Sequence, residues 1–253
     1  MYKRQTLYRA GETAPWGTAI GTQLLLRNPL VQSGGGIGSG NGGAINLEAT
    51  HANISVGNIR SLSETADGGR IDLNANKDVI TGLINSSSVQ GNGGAIDLDA
   101  GGDITTQYLY SGSNSSSGNS GNGGDITLNA KTIKFNPPEY GNAEKLKINT
   151  FSVGQKESEE GKGGDVNITT NNLSNTEILT LSSHSESGKV TIESKTQEPL
   201  QIKDSSIITR EKLKVTVRSA KIKEIQVETG DTQSGDVSIN SSCLLYTSPS
   251  PRD

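Results

Sequence analysis

The chain has 253 residues and a formal net charge of −4, with a pI near 5.3, which argues against a nucleic-acid surface built on bulk positive charge. Hydrophobic residues make up 30% and aromatic residues 4%, low for a globular domain of this length. Glycine, at 32 residues, together with abundant Ser, Asn and Thr, works against helix throughout.

Residues 1–39 read as an irregular N-terminal segment. Its one apolar run, Leu24-Leu25-Leu26, is too short to span a bilayer, and no basic-apolar-small order of a signal peptide is present. Met1-Tyr2-Lys3-Arg4-Gln5 reads as non-native, as does the tail 243–253, which opens at the only cysteine, Cys243. Both resemble translated adaptor sequence, so the chain is expected to be an internal fragment of a longer protein. With Cys243 set aside, no disulfide contributes to stability.

From residue 40 a unit recurs: Gly40-Asn41-Gly42-Gly43-Ala44-Ile45-Asn46-Leu47-Glu48-Ala49, then Asp67-Gly68-Gly69-Arg70-Ile71-Asp72-Leu73, Gly91-Asn92-Gly93-Gly94-Ala95-Ile96-Asp97-Leu98 and Gly121-Asn122-Gly123-Gly124-Asp125-Ile126-Thr127-Leu128. Worn copies begin at Gly163, Gly188, Leu213 and Gly235. The first apolar residues are Ile45, Ile71, Ile96, Ile126, Val166, Val190, Leu213 and Val237, at intervals of 26, 25, 30, 40, 24, 23 and 24. The two long intervals predict loops at 111–120, a Gly/Ser/Asn run, and at 136–144, which holds Pro137-Pro138.

Within each unit Ile45, Leu47 and Ala49 alternate with Asn46 and Glu48, the period-2 signature of a half-buried strand. Ile54, Val56 and Ile59 follow in the first unit and Val79, Leu83 and Ile84 in the second, so each unit holds two or three short strands. A repeat of about 25 residues with this pattern predicts an all-β fold. The expectation is a single-stranded parallel β-helix, a right-handed solenoid of about eight coils over residues 40–242. The Gly-Gly and Asn-Gly pairs are expected to supply corners with φ > 0. A nine-residue calcium-binding repeat is absent, and so are the aromatic signature of propeller blades and the fixed asparagine of leucine-rich repeats.

Chemical motifs are few. His51 and His184 lie in different units without paired-ligand spacing. Gly38-Ser39-Gly40-Asn41-Gly42-Gly43 matches GxGxxG, but a strand follows where a phosphate would need a helix N-terminus. The locally basic stretch Lys203 to Lys223 alternates with apolar residues and reads as a solvated strand face. No nucleophile motif occurs.

The best chemical candidate is the outward face of the repeated strand. In register it reads Asn46, Asp72, Asp97, Thr127, Asn167, Thr191 and, two residues on, Glu48, Asn74, Asp99, Asn129, Thr169, Glu193. Asp72, Asp97 and Asp99 on neighbouring coils form a weak candidate set for Ca²⁺, whose hard chemistry suits stacked carboxylates, or for sugar hydroxyls. The plainer reading is a polar ladder that keeps the sheet soluble.

The Gly-Asn-Gly-Gly-x-Ile-x-Leu-x-Ala units, with their following Ile-Ser-Val or Ile-Thr-Thr strands, resemble the repeat region of filamentous-haemagglutinin-like exoproteins over roughly residues 34–242. The resemblance implies a right-handed β-helix exported by two-partner secretion through an outer-membrane transporter. It implies a non-catalytic adhesive role at the outer surface of a Gram-negative bacterium, toward glycans or proteins of a host or neighbouring cell. The family's secretion motif of Asn-Pro-Asn-Gly type is matched only by Asn28-Pro29-Leu30. The competing expectation is a β-helical lyase or hydrolase of acidic polysaccharide. That reading gains if an Arg or Lys lies beside Asp97 and Asp99 in space.

Overall fold

The computed structural model describes residues 17–18, 23–25, 31–34, 40–115, 120–136, 146–154, 161–180, 182, 188–196, 200–203, 206–208, 213–222 and 237–244. They form a parallel β-solenoid with three strand faces. The first face is led by Ile45–Ala49, Ile71–Ala75, Ile96–Ala100, Ile126–Asn129, Val166–Thr169 and Val190–Glu193. The second follows a corner later with Asn53–Ser55, Val79–Ile80, Asp103–Thr106, Thr132–Phe135, Asn172–Ser174 and Leu200–Lys203. The third comprises Ile59–Leu62, Leu83–Asn85, Tyr108–Tyr110, Leu146–Asn149, Thr176–Leu179 and Ser206–Ile208. The long strand Leu213–Ile222 joins the first two faces into a sheet of 16 described strands, while the third face is a separate sheet of seven.

The register expected from the sequence is the register found. Ile45 pairs with Ile71, Ile71 with Ile96, Ile96 with Ile126, Ile126 with Val166, Val166 with Val190, Val190 with Leu213 and Leu213 with Val237, all in parallel. The solenoid amounts to about five turns rather than eight complete coils. The last two coil starts, at Leu213 and Val237, lead strands that join the first sheet only.

Paired strands also begin before residue 40. Gly17–Thr18, Gln23–Leu25 and Val31–Gly34 pair with the first, second and third faces of the next coil. The expected irregular segment 1–39 therefore contains stretches of one more coil. At the other end, the strand Val237–Leu244 runs two residues past the expected boundary at 242.

Each face contributes a column of aliphatic side chains to a thin core, and the first face adds a second one, Leu73, Leu98, Leu128, Ile168 and Ile192. Ile71, Ile96, Ile126, Val166 and Val190 come from the first, Ile54, Val79, Ile104, Ile133 and Leu173 from the second, Ile59, Ile84, Leu109, Ile148 and Ile178 from the third, and all are buried. Such columns bury each residue between like residues of the coils on either side, so stability is a sum over neighbouring coils.

Two further buried columns are polar. Five of the six third-face strands continue as apolar-x-Ser/Thr-x-Ser: Ile59 to Ser63, Ile84 to Ser88, Leu109 to Ser113, Ile148 to Ser152 and Ile178 to Ser182. Ser61, Ser86, Ser111, Thr150 and Thr180 form the inner column, and each is 0% exposed. Their hydroxyls donate to glycine carbonyls of the Gly-Gly corner: Ser61 to Gly43 at 2.6 Å, Thr150 to Gly164 at 2.6 Å and Thr180 to Gly188 at 2.7 Å, with Ser86 on Gly69 and Ser111 on Gly94 in the same way. In return, the amides of Gly94, Gly124, Gly164 and Gly188 donate to the carbonyls of Ser86, Ser111, Thr150 and Thr180 at 2.7–3.0 Å. A buried corner must pair its backbone groups somewhere, and here small hydroxyl residues do it.

This column corrects the loop expected at 111–120. Ser111, Ser113 and Ser115 are buried, and Ser113–Asn114 pairs with Ser152–Val153. Ser120 is buried too, and residues 116–119 lie outside the described residues. Of the expected loop at 136–144, Asn136 still donates its amide to the Thr106 carbonyl at 2.9 Å, and the rest lies outside.

The corners also differ from expectation in the reason for their glycines. None of Gly68, Gly69, Gly93, Gly94, Gly123 and Gly124 has a left-handed φ. The coils approach so closely there that a Cβ would strike neighbouring backbone, as at Gly93, where it would lie 2.6 Å from the Ser111 oxygen. The asparagine of Gly-Asn-Gly-Gly likewise makes a ladder. Asn41 Oδ1 accepts the Asp67 amide at 3.2 Å, Asp67 Oδ1 the Asn92 amide at 2.8 Å, Asn92 Oδ1 the Asn122 amide at 2.8 Å and Asn122 Oδ1 the Lys162 amide at 2.8 Å.

Candidate functional site

The outward columns of the first face stand as the alternation requires. Asn46, Asp72, Asp97, Thr127, Asn167 and Thr191 are consecutive register partners, and so are Glu48, Asn74, Asp99, Asn129, Thr169 and Glu193. Strand geometry aims these side chains away from the core because Ile71, Leu73, Ile96 and Leu98 on the same strands are buried.

Asp72 and Asp97 are brought together, but by a cation of the chain itself. Arg70 Nη2 lies 2.8 Å from Asp97 Oδ2 and 3.5 Å from Asp72 Oδ2, with its side chain 60% exposed. The guanidinium thus bridges adjacent coils over the ladder. Asp99 stands apart from this pair and accepts the Asn129 amide nitrogen at 3.1 Å. Among the described residues no three His, Cys, Asp or Glu side chains gather as a metal site would require. A calcium ion at Asp72 and Asp97 would have to displace Arg70, so the ladder as it stands fits a dication poorly. His51 is exposed at a corner, its ring 3.0 Å from the Thr50 hydroxyl, and His184 lies outside the described residues.

A second cation was not foreseen from the sequence. Lys195 follows the first-face strand Val190–Glu193 and reaches back along the corner between the first two faces, where Nζ donates to the Ala100 carbonyl at 3.0 Å. Burial lowers its pKa below the ordinary lysine value; the nearby Asp99 carboxylate opposes that shift and Lys131 adds to it. Lys195 stands 96 residues after Asp99 in sequence, so only the coil register could have aligned its corner with those of Ala100 and Lys131. On the same corner side, the Asn129 Oδ1 is buried without a partner.

The condition set for a catalytic reading is therefore met in part: Arg70 beside Asp97, and Lys195 within electrostatic reach of Asp99. The two pairs occupy a sheet face and a corner, and the Arg70 pair is spent on internal charge neutralisation. Exposed pairs of this kind contribute about 0–1 kcal/mol.

Comparison with protein-family models, curated proteins and solved structures finds no match for this chain. What the geometry defines is the class: an all-β parallel solenoid with polar outer ladders. No helix among the described residues is long and apolar enough to cross a membrane.

Proposed function

We propose that this chain is a structural and binding segment of a secreted, cell-surface adhesin of the filamentous-haemagglutinin-like kind, exported by two-partner secretion. The observation that carries the reading is the Arg70 clamp across Asp72 and Asp97. It offsets one of the two negative charges of the strongest acidic candidate and ties the pair into the outer face of the sheet. A stacked rod with repeating faces makes many weak contacts, and multivalency raises avidity without a deep pocket.

One observation favours a second reading. Lys195 and Asp99 bring a base-forming amine and a carboxylate to one corner, the residue types that eliminative cleavage of an acidic polysaccharide employs. An assay separates the two. The full chain, coated on beads, is offered to bacterial and animal cell surfaces, and in solution it is incubated with polyuronates with and without calcium. Saturable adhesion with no unsaturated or reducing-end product is expected. Turnover abolished by Asp97→Ala or Lys195→Ala would replace the adhesin reading with a lyase.

A further inference from the structure

We propose that the outer side of the third face is a binding strip for a linear neutral glycan lying along the rod axis. The inference builds on the binding role proposed above but uses a different face from the acidic ladder.

The strip is one register column. Arg60 pairs with Asn85, Asn85 with Tyr110, Tyr110 with Asn149 and Asn149 with Leu179. Alternation turns these side chains outward, since Ile59, Ile84, Leu109, Ile148 and Ile178 on the same strands are buried. Tyr108 lies one step along from Tyr110 on that side and is half-buried against the core. Three of the four aromatic side chains among the described residues, Tyr108, Tyr110 and Phe151, are half-buried rather than buried, and Phe135 alone is in the core. Phe151 holds the Tyr110 ring edge to face, with centroids 6.1 Å apart at 86°.

Two atoms of the column point to an occupant. Asn149 is 9% exposed, yet its Oδ1 has no hydrogen-bond partner, and the Nε of Arg60 is buried without one as well. An orphaned buried polar group loses its hydration without a partner in return, so natural chains leave few of them. The column thus holds, just beneath its surface, one unfilled acceptor and one unfilled donor, three coil spacings apart, or about 14 Å. A hydroxyl supplies both a donor and an acceptor. A row of them on sugar rings also offers an apolar C–H side to tyrosine, whose ring is amphipathic.

Other occupants fit less well. A peptide adding as a strand needs free main-chain groups, and the main-chain groups of these strands are spent on the neighbouring coils. An acidic polymer, nucleic acid included, would meet one arginine in the column on a chain of net charge −4. An extended sugar chain also repeats at a length similar to the coil spacing of about 4.8 Å, so successive rings meet successive coils.

The test titrates the full chain, by calorimetry, with linear neutral hexasaccharides built on glucose, mannose, galactose or N-acetylglucosamine. Saturable binding of at least one is expected. Tyr110→Ala should weaken it about tenfold or more, the size of a buried aromatic anchor, while Tyr110→Phe stays close to wild type. Asn149→Leu should weaken binding without lowering the melting temperature, because it removes an orphaned atom; a purely structural asparagine would show the reverse. Asp97→Asn should change nothing. No binding by any of the four sugars would overturn the proposal, as would binding lost in Asp97→Asn but kept in Tyr110→Ala. In either case cell adhesion by the coated beads would leave the adhesin reading standing.

Discussion

Gly123→Ala should destabilise the solenoid by about 3 kcal/mol, at the upper end of the usual cost of overpacking. A Cβ at Gly123 would overlap the Thr150 carbonyl oxygen and lie 2.7 Å from the Gly164 nitrogen. Those two atoms are themselves hydrogen-bonded at 2.9 Å, so the new methyl drives into a bond between coils. Backbone atoms cannot rotate out of the way as a flexible side chain would. Gly40→Ala is the matched control, because a Cβ there meets nothing within 4 Å, and its effect should stay within about 0.5 kcal/mol. Urea denaturation of the two variants measures both. Equal tolerance at Gly123 and Gly40 would mean that the coils do not meet at the Gly-Gly corner as described.

Ile96→Ala should cost about 3–4 kcal/mol, the usual range for emptying a fully buried aliphatic site. Ile96 is 0% exposed and stands between Ile71 and Ile126 in the ladder. Its loss leaves a cavity that the coils on both sides must share. The next residue gives the opposite result. Asp97 faces outward and is paired with Arg70 at 2.8 Å, and Asp97→Ala should cost no more than about 1 kcal/mol, less at high salt. Thermal melts of the pair test the alternation at a single step of the chain. Similar losses at both positions would mean that the strand does not present its two sides as the register requires.

The inward ladder was legible in the sequence because apolar alternation fixes it. A one-residue slip would turn Ile45, Ile71 and Ile96 outward together, so the common pattern admits one register. The outward columns, including Asp72, Asp97 and Asp99, followed from the same constraint. What escaped was carried by small polar residues with no hydrophobic signal. Ser61, Ser86, Ser111, Thr150 and Thr180 recur two positions after the third-face apolar residue, yet serine in a Gly-rich run reads as loop by composition. That is why Ser111 to Ser115 reads as an excursion although it belongs to the stack. The Gly-Gly pairs were rightly placed at corners but for a conformational reason, whereas close approach between coils is what excludes a side chain. Arg70 stands two residues before Asp72 in the sequence, but nothing there marks it as a bridge over two coils. Lys195 could not be placed near Asp99 without knowing how the 40-residue interval from Ile126 to Val166 closes, since that interval sets the register of everything after it.

That interval is also where the parallel, in-register stack is most directly tested. Thr127 and Asn167 are register partners on adjacent coils, and both are exposed. Their separation across parallel strands, about 4.8 Å, lies within the roughly 4.4–6.8 Å that a disulfide spans between Cα atoms. With Cys243 replaced by serine, the double variant Thr127→Cys/Asn167→Cys should therefore oxidise readily to an intramolecular disulfide. The offset pair Thr127→Cys/Thr169→Cys, at about 8 Å, should remain largely reduced under the same mild oxidant. Rapid cross-linking of the offset pair in place of the aligned one would contradict the solenoid.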